Sequence, residues 1–167
     1  GVGVVNVVLR GSSKNGVILM KRPFGHSSTT ADNDIAMMFA VARQIPEASA
    51  STHAGKWEKS RFMGVELTNK TLGLIGSGNI GSIVASRALG LKMKVVAYDP
   101  YLSEERAKEM GVTKVELDEL LARADFITLH VPKTDQTAGM ISEDVIEKMK
   151  TGVRIVNCAR GGLVDKA

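Results

Sequence analysis

The stretch Lys70-Thr-Leu-Gly-Leu-Ile-Gly76-Ser-Gly78-Asn-Ile-Gly81 decides the fold. It is an apolar run (Leu72, Leu74, Ile75) that ends in Gly76-x-Gly78-x-x-Gly81 and passes into a helical pattern carried by Ile80, Ile83, Val84 and Leu89. A strand that turns tightly into a helix needs glycine three times. The first permits the turn, the second lets backbone amides approach a pyrophosphate, and the third lets the helix pack closely on its strand. The helix expected over about Asn79 to Leu89 points its N-terminal amides and positive dipole end at the same place. Three glycines alone are weak evidence, but here they sit between a strand pattern and an amphipathic helix. An acidic residue, Asp99, also closes the next apolar run. Its carboxylate is placed to accept hydrogen bonds from ribose hydroxyls and to repel a 2′-phosphate, which favours NAD over NADP. The plainer alternative is a tight strand-to-helix turn beside a solvated Asp.

Downstream, strand-like and helix-like segments alternate. Val95 to Tyr98 is followed by helices near Ser103 to Met110 and Leu117 to Arg123, then the run Phe126 to His130. A helix near Ser142 to Met149 and a strand over Val153 to Asn157 complete the series. Apolar strands separated by amphipathic helices predict a doubly wound, mainly parallel α/β sheet of Rossmann type. Ligands of such sheets lie at the carboxyl ends of the strands: Gly76 to Gly78, Asp99, His130 to Pro132, and Cys158 to Gly161. At the last of these, Arg160 offers a planar fork of donors for a carboxylate or carbonyl oxygen. A surface ion pair is the competing use. His130 has no carboxylate partner identifiable in the sequence and reads as pocket lining rather than as an acid or base. Cys158 reads as a small residue on the nicotinamide side of the cleft rather than as a nucleophile.

Ahead of the glycine turn, the chain opens abruptly on Gly1 to Val8, as an internal segment of something longer would. A short helix over about Leu9 to Asn15, a strand over Val17 to Met20 and a loop over Lys21 to Gly25 follow. Ser27 to Thr30 supply N-cap hydroxyls for a long helix, with Asp32 and Asp34 in its first turn. Its apolar stripe is Ile35, Met38, Phe39, Ala42 and Ile45, and Pro46 interrupts it. Glu47 to Gly55 is a small, polar segment. Beyond it Trp57, Phe62 and Met63 stand among charges, as in an arm that packs either on a second subunit or back on its own domain.

The 167 residues are 44% hydrophobic and 24% charged, the composition of a folded globular chain. No run is long enough for a membrane span, and a cytoplasmic protein is expected. One cysteine and three scattered histidines exclude an internal disulfide and leave no zinc cluster. The net charge of +4 arises before residue 71, from nine Lys/Arg against five Asp/Glu, with thirteen of each thereafter. These cations are dispersed without aromatic interleaving, so a solvated surface or an anionic small substrate is expected rather than nucleic acid.

With these residues in view, the chain resembles the D-isomer-specific 2-hydroxyacid dehydrogenases over essentially its whole length. The resemblance rests on Gly1-Val2-Gly3, Ala42-Arg43-Gln44-Ile45-Pro46, Gly55-Lys56-Trp57-Glu58 and Arg61-Phe62-Met63-Gly64. It rests further on the glycine turn, Asp99-Pro100 and, most specifically, Val156-Asn157-Cys158-Ala159-Arg160-Gly161-Gly162-Leu163-Val164-Asp165. It implies a substrate-domain remnant and hinge over 1–25 and an NAD-binding domain over 26–167. It also implies NAD-linked oxidation of 3-phosphoglycerate to 3-phosphohydroxypyruvate, a step of serine biosynthesis. Gly76, Gly78, Asn79, Ile80 and Gly81 would then meet the pyrophosphate, Asp99 the ribose and Val131 the adenine side. Cys158 and Ala159 would lie by the nicotinamide, Arg160 would hold substrate, and the Val2-Gly3 backbone would border it. The long helix and arm, 29–64, would form a homodimer interface. The family's acid/base histidine and its glutamate are expected beyond Ala167, since none of His26, His53 and His130 matches that position, so the chain by itself is expected to be inactive. Residues unusual for the family are Val5, Val8, Lys21, Arg22, His26, Asp32, Asn33, Val131 and Lys133. A non-catalytic NAD-binding interaction module and a dehydrogenase for another D-2-hydroxyacid are the alternative readings.

Overall fold

The computed structural model describes residues 25–165. The elements expected over Leu9 to Asn15, Val17 to Met20 and most of Lys21 to Gly25 lie outside them, as do Val2, Gly3, Val5 and Val8. Five parallel strands, β1 (Thr71–Ile75), β2 (Lys94–Tyr98), β3 (Thr113–Lys114), β4 (Phe126–Leu129) and β5 (Arg154–Val156), form one sheet in the order β3-β2-β1-β4-β5. The chain therefore builds outward from β1 on one side and returns to β4 on the other. The point of reversal, between β1 and β4, is where open α/β sheets hold ligands.

Alternation along the strands splits the core in two. Leu72, Leu74, Val95, Ala97 and Phe126 face one side, with Val84 and Ala88 of helix α3 (Asn79–Gly90) and Met38 of helix α1 (Ser27–Arg43). Ile75, Val96, Ile127 and Leu129 face the other, with Leu120 and Leu121 of helix α5 (Leu117–Arg123), Ile141 and Leu163. Each of the buried Val, Leu, Ile, Phe and Met side chains contributes about 1.5–3 kcal/mol relative to exposure, and β1 is a strand covered on both faces. Helix α4 (Glu104–Met110) is capped by Ser103 Oγ, which accepts from the Arg106 amide at 3.1 Å, and ends at Gly111.

Several expectations are corrected. The long helix begins at Ser27 with His26 at its N-cap and no side-chain cap, so Asp32 and Asp34 lie beyond the first turn. Asp32 pairs instead with Arg87 of α3. The helix ends because Gln44 turns into the left-handed region (φ 53°), and Pro46 sits in the first turn of a second helix, α2 (Ile45–His53), which takes up most of the small, polar segment. Proline is accommodated there because first-turn amides have no helical acceptor. Ile45 is exposed rather than part of the apolar stripe. The helix expected near Ser142 to Met149 is only α6 (Glu143–Ile146), and β3 is an additional strand.

Candidate functional site

The glycine turn is built as its spacing requires. Gly76 has φ +92°, and a Cβ there would lie 2.8 Å from the carbonyl oxygen of His130. A Cβ on Gly81 would lie 2.2 Å from the Gly76 carbonyl oxygen. Side chains at either place would push β1, β4 and α3 apart. Gly78 differs: a Cβ there meets nothing within 4 Å, so the space above the turn is open. Gly78 is also the N-cap of the twelve-residue α3 and supplies no side-chain cap, leaving the first amides of that helix, at Asn79, Ile80 and Gly81, facing this space.

Asp99, at the exit of β2, reaches back to the turn. Its Oδ2 accepts from the Ser77 amide and hydroxyl, both at 2.8 Å, and Oδ1 accepts from the Tyr101 amide at 2.9 Å. Burial pushes this carboxyl up, but the Ser77 and Tyr101 hydrogen bonds outweigh it and hold the group below the ordinary Asp value, so it is ionised. Oδ1, with a single donor, retains a lone pair for a further one.

The exits of β4 and β5 complete the cleft. A cavity of about 400 Å³ is lined by Thr30, Ile80, His130, Val131, Lys133, Cys158, Ala159 and Arg160, among others. Arg160 is exposed, and its guanidinium donates to the Ala159 carbonyl at 2.9 Å. Asn157, a residue the sequence reading did not single out, stitches this loop. Its amide nitrogen donates to the Arg160 carbonyl at 2.9 Å, and its oxygen accepts from the Ala159 amide at 3.1 Å. Lys133 lays its ammonium end against Gly162, which puts a second cation on the same cleft.

Behind the cleft wall lies a residue that the sequence assigned to the first turn of the long helix. Asp34 is 0% exposed, and among the described residues neither of its carboxyl oxygens has a hydrogen-bond partner. Burial lifts it from 3.8 to about 7, with the neighbouring Cys158 thiol offsetting part of the rise. His130 is equally buried, its Nε2 lying 3.1 Å from Thr128 Oγ1 and 3.7 Å from Asp34 Oδ2. Burial pushes it down to about 4, so the imidazole is neutral at pH 7 and only a weak base. Burial, and then the proximity of Asp34, raise the Cys158 thiol, which is therefore no thiolate nucleophile. The signal for Asp34 was its phase. It falls in the series Ser27, Ala31, Asp34, Met38, Ala42, the face that α1 buries.

These parts fit a dinucleotide: an uncapped helix end, a glycine cradle open only at Gly78, and an ionised Asp one strand away. Among the described residues no group of His, Cys, Asp and Glu could hold a metal ion, and no helix is long and apolar enough to cross a membrane.

Comparison with known proteins agrees. The family model for the D-isomer specific 2-hydroxyacid dehydrogenase, NAD binding domain, matches residues 35–167. The chain belongs to this family, and its cofactor is NAD. It is 49% identical over its whole length to D-3-phosphoglycerate dehydrogenase of Archaeoglobus fulgidus, covering 32% of that protein. It is 44% identical, again over its whole length, to D-3-phosphoglycerate dehydrogenase of Bacillus subtilis, also covering 32%. The chain thus spans about a third of the length of these relatives. Among solved structures, D-lactate dehydrogenase from Aquifex aeolicus complexed with NAD and lactic acid superposes with a TM-score of 0.84 at 36% identity. That match covers 99% of this chain and 50% of the other. The apo-structure of D-lactate dehydrogenase from Escherichia coli gives 0.88 at 34% identity, covering 98% and 52%.

Proposed function

We propose that this chain is the NAD-binding part of a cytoplasmic enzyme that oxidises 3-phosphoglycerate to 3-phosphohydroxypyruvate. The observation that carries this reading is that the glycine turn, Asp99 and the cationic Arg160 all lie at the carboxyl ends of the strands. The phosphoglycerate dehydrogenases among its relatives supply the substrate. In this reading the amides of Asn79, Ile80 and Gly81, approached over Gly76 and Gly78, bind the pyrophosphate. Asp99 accepts from the ribose hydroxyls, and Val131 borders the adenine side. Cys158 and Ala159 form the nicotinamide wall, and the Val2-Gly3 backbone borders the substrate. Arg160 is the catalytic residue of this chain, holding the carboxylate and polarising the carbonyl that forms. NAD, when bound, accepts the hydride. The proton of the substrate hydroxyl goes to a group outside the described cleft residues, because burial makes His130 a poor base, and the chain alone therefore binds without turning over.

The same reading makes the protein a homodimer through α1 and residues 55–64. Met37 and Val41 are half-exposed about one turn apart on α1, Ile45 is half-exposed at the start of α2, and Trp57 (84%) and Met63 are exposed further along the chain. An apolar groove of about 730 Å³ is lined by Phe39, Ile45 and Phe62 among others.

NADH fluorescence titration of the chain tests the binding half: saturable enhancement is expected for the wild type and its loss for Asp99→Ala. A signal that Asp99→Ala leaves untouched overturns the assignment. The D-lactate dehydrogenases among the structural neighbours favour a second substrate class, a smaller D-2-hydroxyacid. Assaying the full-length protein with 3-phosphoglycerate and D-lactate side by side separates the two.

A further inference from the structure

We propose that Asp34 is the charge-setting group of the cofactor pocket: lying behind the wall formed by His130 and Cys158, it gives up its proton when oxidised cofactor enters and keeps it when reduced cofactor does. The inference rests on the reading that the Cys158 side of the cleft receives the nicotinamide ring.

Among the described residues the Cys158 thiol offsets only part of the burial of Asp34. A carboxyl taken out of water ordinarily finds a cation or several hydrogen bonds, yet both Asp34 oxygens are unpartnered among the described residues. Among the described residues the titratable groups that face it are few. His130 comes from the exit of β4, with Nε2 3.7 Å away and already engaged by Thr128, and Cys158 comes from the exit of β5. On its own helix, Asn33 turns its amide to the Cys158 sulfur at 3.5 Å, and Asp32 is turned outward to Arg87 of α3. Lys133 and Arg160 line the cavity on the far side of the wall. Among the described residues no fixed cation touches the carboxyl, which leaves its charge open to what occupies the cleft. Burial leaves it poised near neutrality, able to respond.

The two cofactor forms differ in what they bring. The oxidised nicotinamide ring carries a positive charge and the reduced ring is neutral. Through the thin, low-dielectric wall of His130 and Cys158 a positive ring stabilises the Asp34 carboxylate, and solvent ions cannot screen the pair. By linkage the carboxylate favours the oxidised form to the same extent, and the proton leaves to solvent. The reduced form supplies no such field.

Calorimetric titration of NAD+ and NADH, in buffers of different ionisation enthalpy between pH 6 and pH 8, reads both consequences. For the wild type, NAD+ binding at pH 7 is expected to release a fraction of a proton and NADH binding none. The ratio of the NADH to the NAD+ dissociation constant is expected to rise about fivefold from pH 6 to pH 8. Asp34→Asn is expected to abolish both effects. A flat wild-type ratio overturns the inference without any variant, and so does a pH-dependent ratio that persists in Asp34→Asn. Failure of both nucleotides to bind overturns the underlying cofactor reading, an outcome distinct from binding that is blind to pH.

Discussion

Ser77 and Asp99 are joined twice, the backbone amide and the side-chain hydroxyl of the serine both donating to Oδ2 of the aspartate at 2.8 Å. The residue between the first two glycines thus fixes the carboxylate at the end of the neighbouring strand, and the pyrophosphate and ribose halves of the site form one unit. Asp99→Ala is expected to weaken NADH binding at least tenfold. Ser77→Ala removes one of the two donors and is expected to weaken it about threefold, in line with about 0.5–1.5 kcal/mol for a hydrogen bond. Fluorescence titration of both variants checks the order; equal affinities for wild type and Ser77→Ala would show that the amide alone suffices.

Two alanine substitutions in the glycine turn separate folding from binding. Gly81→Ala places a methyl 2.2 Å from the Gly76 carbonyl oxygen, a backbone atom that cannot step aside. It is expected to destabilise the domain by about 2–4 kcal/mol. Gly78→Ala meets no atom within 4 Å and has φ −67°, so stability in urea is expected to stay within about 0.5 kcal/mol of wild type. Its methyl projects where the phosphates approach, and NADH affinity is expected to fall at least tenfold. A Gly78→Ala protein that binds as wild type does would remove the turn from the site.

Asp34 and His130 give opposite pH dependences of stability. Folded Asp34 titrates near 7 against 3.8 for the free side chain, so the folded state holds the extra proton between those values, and its contribution falls as pH rises through them. Folded His130 titrates near 4 against 6.5, so its contribution is lost as pH falls from 6.5 towards 4. In the wild type the two slopes oppose each other between about pH 4 and 6.5. Asp34→Asn removes one of them. The stability of the variant minus that of wild type is expected to increase by about 1.4 kcal/mol per pH unit between pH 4 and 7. Urea unfolding at four pH values measures this slope, and a constant difference would place Asp34 in an unperturbed environment.

Asn157 bonds to both sides of the peptide that presents Arg160. In the full-length protein Asn157→Ala is expected to lower kcat/KM about tenfold with little change in NADH affinity, because the loop is held less firmly. Arg160→Lys keeps the charge but loses the fork, and is expected to cost about a hundredfold. Steady-state kinetics with parallel NADH titration separates these effects; a matching drop in NADH affinity would assign the loop to cofactor binding instead.

On the exposed apolar side of α1, Val41→Glu puts a charge about one turn from Met37. Its fold is expected to survive, while a dimer using that face dissociates. Sedimentation velocity is expected to shift from dimer to monomer, and an unchanged dimer would locate the interface elsewhere.

Local pattern by itself determined the glycine turn, the helix that leaves it, the helix Leu117–Arg123 and the placing of Asp99 at a strand exit. Each is written in the period and punctuation of a short contiguous segment, where backbone sterics and side-chain spacing act together. Tertiary structure decided the rest. β3 is two residues long, too short to show a period, and exists because β2 offers it an edge. Asn157 and Lys133 gained their parts only when the exits of β4 and β5 came side by side. Asp34 is the clearest case. On the helix surface it is one charge among several, and its burial follows from α1 being covered by α3 and β5, elements distant along the chain. Sequence periodicity records which residues share a face; only the packed fold determines which face loses its water.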